Sequence, residues 1–354
     1  MNNYLLDIFT RRQVLLERLK ASYSKNYSSK YIFQLNKAIT EALDQLPDGD
    51  PISVSSNIAQ IEQVISSLRA KQRKIYDSFI AETQIQNEDF VGESIYFETE
   101  ALKNVTEYAI IRQIDRSLAW HLANAAPIRA TGNLLKPFYR DWTDKEITAV
   151  EGIVRNGYWA GATKSELLRS IRGSAAAKYT DGYLGRNDRG ATTIIRTATQ
   201  HLSNTTRAAV WQENEDILDG YKIVATLDGR TSTICRSMDG REFEIGKGPL
   251  PPFHAGCRTT TVPVIKKKYR VLPEGTRSSL DGYIAGDTTY YEWLLTQPAS
   301  FQDTAIGVTR GKLLRDGGLT ANEFGRLNLG RNFEPLTLEQ MRRLNPQAFE
   351  RAKI

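Results

Sequence analysis

Cys235, His254 and Cys257 comprise both thiols of the chain and one of its three imidazoles, spaced C-x18-H-x2-C. Thiolate and imidazole are the donors that a borderline-soft ion such as zinc takes, and a His-x-x-Cys turn puts two of them on one small loop. A closed structural site needs four ligands. Asp228 and Asp239, each followed by glycine in a turn, are the nearby candidates for the fourth, and the alternative is a position left to water. Two other readings use the same residues. Free cysteine is commonly buried as a small hydrophobe, so Cys235 and Cys257 can flank a structural histidine through packing or hydrogen bonds. A thiolate with a histidine base and an orienting group is a nucleophile, and the enzyme alternative is therefore a cysteine-dependent hydrolase or transferase using Cys235 or Cys257 with His254.

Little else in the chain points to catalysis. His121 and His201 sit in helical contexts, where a satisfied surface or core histidine is expected. There is no Gly-rich phosphate loop, H-E-x-x-H pair or nucleophile elbow, which removes the usual supports of motor, protease and lipase readings. For nucleic acid, the candidate contacts are Lys266, Lys267, Lys268 and Arg270, followed by a tail carrying Arg310, Lys312, Arg315, Arg326, Arg331, Arg342 and Arg343. Such cations neutralise phosphates without reading sequence. Interspersed acids such as Asp316 and Glu339 fit a solvated surface equally well.

The elements that must position these residues follow from composition and period. At 354 residues and 40% apolar content the chain is long enough for two or three domains, each with its own core. Two cysteines cannot staple a secreted scaffold, so maturation in a reducing compartment is expected. Met1 to Asp7 contains an acid and no basic run, and no apolar stretch reaches a membrane span, so neither a leader peptide nor a membrane segment is expected. A net charge of +6 permits contact with a polyanion without requiring it.

Residues 1–95 read as a helical, coiled-coil-like region. Ile61, Ile65, Leu68, Ile75 and Phe79 alternate spacings of three and four with Gln72 interrupting, and Ile32, Leu35, Ile39, Leu43 and Leu46 repeat that spacing upstream. Leu46-Pro47-Asp48-Gly49-Asp50-Pro51 marks a turn between them. The two stretches predict an antiparallel helical pair within one chain, or a seam for self-association.

Residues 96–265 read as an α+β domain. Thr163-Lys164-Ser165-Glu166 is a capping box opening a short helix that ends near Arg172-Gly173. A polar loop is expected over 173–191, then a helix with Ile195, Ala198, Leu202, Thr205 and Ala209 on one face, stopping near Asp219-Gly220. Tyr221 to Leu227, the Asp228-Gly229 turn and Thr231 to Cys235 predict a β-hairpin, with Glu242 to Ile245 and Arg258 to Ile265 as further strands. Residues 266–286 have linker composition, and 287–354 read as a separate appendage of short helices. The expected fold class is α+β: a mainly helical N-terminal half, a small antiparallel sheet domain with a Cys/His cluster, and a short helical C-terminal appendage.

The segment from Ala225 to Cys235, then Met238 to Phe243, then Leu250 to Thr259, resembles the signature of the phage head morphogenesis family, minor capsid proteins with a Mu F-like domain. The elements of the resemblance are Asp228, Arg230-Thr231 before Cys235, the Asp239-Gly240 turn, and Pro252-x-His254-x-x-Cys257-Arg258. Arg196-Thr197, Gly157 to Ile171, and the tail from Tyr290 to Gly318 are also similar to the family, so the resemblance runs from about residue 145 to 350. It implies a non-enzymatic virion component inside the capsid near the portal vertex, assembled in the host cytoplasm. Its implied partners are the portal protein, packaged double-stranded DNA and scaffold or other head proteins, and its implied role is head assembly or DNA delivery.

Overall fold

The computed structural model describes residues 3–46, 55–106, 109–269 and 276–354. Helix α1 (Asn3–Asn26) runs through a π-helical turn (Tyr27–Ile32) into α2 (Phe33–Leu43), and α3 spans Ser55–Lys103. There follow α4 (Arg116–Ala125), α5 (Leu135–Trp159), α6 (Lys164–Arg172) and α7 (Tyr183–Glu213). The chain then changes to β1 (Leu218–Val224), α8 (Thr233–Met238), β2 (Glu242–Phe243) and β3 (Thr260–Ile265), and next to a hairpin of β4 (Thr276–Ser279) and β5 (Gly282–Ala285). Six short helices close it: α9 (Tyr290–Leu295), α10 (Ala299–Ile306), α11 (Val308–Asp316), α12 (Ala321–Leu327), α13 (Leu338–Leu344) and α14 (Pro346–Arg351). The fold is the expected α+β class, helical first, with a small antiparallel sheet and further helices after it. Among the described residues, no helix is long and apolar enough to cross a membrane.

Contacts divide the chain into two units that do not follow chain order: residues 17–92 with 123–202, and residues 1–16 with 93–122 and 203–354. In the first unit, the seam read from sequence is buried at Leu35, Ile39, Leu43 and Leu46 on one side and at Ile61, Ile65, Leu68 and Phe79 on the other. Gln60 donates to the Gln45 carbonyl, Lys71 pairs with Glu41, and the Tyr31 hydroxyl reaches Ser78. These pairings descend along one helix as they ascend the other, so this is an antiparallel pair within one chain. The turn from Pro47 to Pro51 lies outside the described residues. The stripe passes through Gln72 and Tyr76, both fully buried, while Ile75 is only partly covered.

Helix α5 lies antiparallel to α3 along a ladder of ion pairs: Glu62 with Arg155, Arg69 with Glu151, Arg73 with Asp144, and Asp77 with Arg140. Most of these side chains are exposed to screening water, so the pairs set register more than they add stability. Tyr27, Phe79 and Trp142 pack edge to face at 4.9–6.1 Å below this ladder. Asn187 sits beside them, accepting from the Tyr27 hydroxyl at 2.7 Å and donating to Tyr76 at 2.8 Å and Glu146 at 2.6 Å. The capping box at Thr163 and Glu166 is formed, and α6 ends at Gly173 as expected. The loop read over 173–191 is shorter than that, because α7 already begins at Tyr183. Glycine was misleading there: Gly190 is helical, and a Cβ would lie only 3.1 Å from the Trp142 indole nitrogen, so its absence serves packing.

In the second unit, β1 is the central strand of the sheet, antiparallel to β2 on one side and to β3 on the other. Pro263 lies in β3, an edge strand, where a missing N–H is tolerated. The hairpin read across Asp228-Gly229 is not formed. Asp228 Oδ1 accepts from the Arg230 N–H at 3.0 Å, a side-chain turn that ends the extended run, and Ser232 caps α8 where a partner strand was expected. Helix α7 stops at Glu213, before the expected Asp219-Gly220, and Gly220 falls at an irregularity inside β1. The stretch of linker composition contains the β4–β5 hairpin. The tail helices pack around Tyr290, Trp293, Phe324 and Phe349 in the same unit as the sheet. Arg207 on α7 is fully buried between the rings of Phe9 and Trp211, paired with Glu98 at 2.7 Å and donating to the Thr260 hydroxyl at 2.6 Å, which ties the helix to β3.

Candidate metal centre and its clamps

Cys235 is carried by the first turn of α8, where its N–H is held by the Ser232 hydroxyl. His254 and Cys257 sit on one turn, closed by the Cys257 N–H on the His254 carbonyl at 3.2 Å. Gly256 within it has φ +69°, the left-handed region in which glycine is least strained. The three donor atoms lie within 4.8 Å of one another, close enough to hold a metal ion. Cys235 Sγ is 3.2 Å from His254 Nε2 and 3.6 Å from Cys257 Sγ. Around a tetrahedral zinc the corresponding separations are about 3.5 and 3.8 Å, so the donor types suit that ion and these two separations would need only a small expansion. His254 Nδ1 donates to the Ala255 carbonyl at 2.9 Å, which leaves Nε2 to face the thiols.

The same geometry sets the protonation of the cluster. Burial opposes ionisation of Cys257, yet the hydrogen bonds it receives from Cys235 and His254 hold its thiol well below the usual range. Cys235 is pushed well above that range by its bond to Cys257 and by burial, and the neighbouring Cys257 sulfur raises His254. A metal ion bound here would displace the protons that these three groups share.

The two carboxylates read as fourth ligands are committed elsewhere. Among the described residues no fourth His, Cys, Asp or Glu joins the cluster. Asp228 is clamped by Arg258 through two bonds of 2.7 and 3.0 Å, and it also accepts from the Thr231 hydroxyl at 3.0 Å. Asp239 is taken by Arg277 at 2.9 and 3.0 Å and by the N–H groups of Ala225 and Tyr290, both at 2.7 Å. Of the motif residues, Asp228, Thr231 and Arg258 form one clamp to which Arg230 contributes its backbone, while the Gly240 N–H bonds the Ile223 carbonyl at 2.9 Å and Pro252 is buried. Arg277 was missed because it lies in a stretch read as linker.

The remaining candidates separate. His201 is buried, bonded to the Ala123 carbonyl at 3.0 Å and lowered by burial, as expected of a core histidine, while His121 is exposed. Lys266 caps the carbonyls of Glu215 and Asp216, Lys267 and Lys268 are exposed, and Arg270 lies outside the described residues. In the tail, Arg310 and Arg315 serve internal bonds to Asn328 and Asp303, and Arg343 pairs with Glu339.

Residues 148–262 match the family described as phage Mu protein F like protein. That segment is a Mu F-like domain. It runs from the second half of α5 to β3 and contains the Cys/His trio and the Asp228–Arg258 clamp. The tail from Tyr290 to Gly318, read from sequence as part of the family resemblance, lies beyond the matched residues. No curated protein and no solved structure matches the chain.

Proposed function

We propose that the protein is a head morphogenesis (minor capsid) protein of a tailed phage, a structural component assembled in the host cytoplasm and housed inside the head near the portal vertex. In this reading it contacts the portal protein, packaged double-stranded DNA and other head or scaffold proteins, and assists head assembly or DNA delivery. The observation that carries the reading is the Mu F-like match over 148–262, which coincides with the Asp228-to-Arg258 motif. The exposed Lys267 and Lys268 supply a DNA-facing charge of the unspecific kind.

The role is structural rather than catalytic. Cys257 is fully buried, and the histidine beside it is oriented by a backbone carbonyl where a triad would place a carboxylate or amide side chain. In this reading Cys235, His254 and Cys257 would hold zinc, and the ion would supply a cross-link between α8 and the turn before β3 in a domain with a sheet of three strands.

Quantitative mass spectrometry of gradient-purified full particles tests the reading. A low, reproducible ratio of this chain to portal protein is expected. Presence only in unfilled precursors would make it an assembly factor that leaves, and absence from both would overturn the proposal.

A further inference from the structure

A cavity of about 520 Å³ opens between the Asp239–Phe243 segment and helix α12, on the sheet-bearing unit and apart from the Cys/His trio. Three arginines line it: Arg236, Arg241 and Arg326. None has a carboxylate within ion-pair distance among the described residues. Arg236 is 8% exposed and spends its terminal nitrogens on the Ala305 carbonyl and the Thr233 hydroxyl, while its Nε is buried without a partner. Arg241 is half-buried over the Phe333 ring, and Arg326 stands at the exposed rim.

The acids nearby do not cancel this charge. Asp239 is saturated by Arg277 and two backbone N–H groups. Glu242 is exposed and faces Lys222 at 3.9 Å. Glu323, one turn before Arg326, closes the capping box of Thr320 with two bonds of 2.8 Å. Burial first, and then the charge of Arg326, pull the Arg241 guanidinium below its ordinary value. Converging guanidinium groups that remain unpaired in a recess are costly unless an anion joins them.

We propose that this cavity is a binding site for a small phosphorylated ligand of mononucleotide size or less, anchored by Arg241 and Arg326 with Arg236 behind them. A carboxylate would leave most of the charge unmatched, whereas a phosphate group carries nearly two negative charges and several acceptor oxygens suited to forked donors. The volume lies within the range of small-ligand sites, and the rings of Phe243 and Tyr291 give the walls an apolar portion for the rest of the molecule. A duplex rides on cations spread over a surface, and here they converge in a recess.

Calorimetric titration of the full chain at physiological salt, with inorganic pyrophosphate and separately with a mononucleotide, tests the site. Saturable binding is expected, with R241Q and R326Q each weakening it by about tenfold or more and succinate at matched ionic strength binding far less. Among the described residues both arginines lack ion-pair partners, so the variants should not lower the unliganded melting temperature, and they should lose the upward shift that pyrophosphate gives the parent chain. Three results would overturn the proposal: no saturable binding of either phosphate compound, binding unchanged in both variants, or equal binding of succinate. Binding of duplex DNA that pyrophosphate cannot compete away, and that both variants abolish, would overturn it too, by making the arginines part of a polynucleotide surface.

Discussion

Asp239 and Arg277, 38 positions apart, form a forked ion pair in the interior of the sheet-bearing unit, with side chains 0% and 5% exposed. The carboxylate also accepts the N–H groups of Ala225 and Tyr290, and the guanidinium donates to the carbonyls of Ala225 and Thr288. One pair therefore joins the end of β1, the β4–β5 hairpin and the start of α9.

Arg277→Met should destabilise the protein by about 3–5 kcal/mol, because it leaves the Asp239 charge buried without a counter-ion. Urea denaturation of the full chain measures this. A loss under about 1 kcal/mol would mean that the pair is replaced easily and does not organise the unit.

If zinc occupies the trio, elemental analysis of chain purified without chelator will find about one zinc per chain. Cys257→Ser should then lose the metal and several kcal/mol of stability, since binding energy at such a site is folding energy. Thiol reagents should label neither cysteine selectively in the folded protein. Rapid selective labelling of one of them would favour the nucleophile reading instead.

The Asp228 clamp is sensitive to acid. Burial alone would raise this carboxyl, but the bonds from Arg258, the Arg230 N–H and the Thr231 hydroxyl outweigh it and hold the group below its ordinary value. A carboxyl depressed in the native state adds stability above its unfolded value of about 4, and that stability disappears as pH falls through the native value. Asp228→Asn should therefore cost about 1–3 kcal/mol near neutral pH, with the difference from the parent chain shrinking toward pH 3. An undiminished difference at low pH would contradict an ionic clamp.

Gln72 lies fully buried in the α2–α3 seam, and neither its side-chain oxygen nor its nitrogen has a partner. Gln72→Leu should raise stability by about 1–2 kcal/mol, the desolvation cost of that amide, measured as a higher urea midpoint with unchanged slope.

Much of the helical organisation was legible because its signals are local: the four-three spacing of Ile61, Ile65 and Leu68, and the capping box at Thr163. The Cys/His trio was legible for the same reason, since rare residue types stood close together in the chain. What failed depended on distant partners. Asp228 and Asp239 looked like free ligands because nothing near them in sequence announces Arg258 and Arg277. Thr231 to Cys235 has strand composition, and the Asp228 side-chain turn and the Ser232 cap instead lead it into α8 at Thr233. The buried threonines, Gln200 and Arg207 of α7 had no periodic signature, because that helix is enclosed by polar partners as well as apolar ones.

The division of the chain has a consequence for its synthesis. Everything in the unit built from 17–92 and 123–202 has been made once residue 202 is added. The other unit needs Phe9 to wait for Arg207 and Trp211, and then for the sheet and tail helices that follow them in the chain. Vectorial folding thus favours completing the helical unit first and the sheet-bearing unit once its later segments have been made. A fragment beginning at Glu17 would retain every segment of the early unit while depriving the late one of a ring that covers its buried arginine.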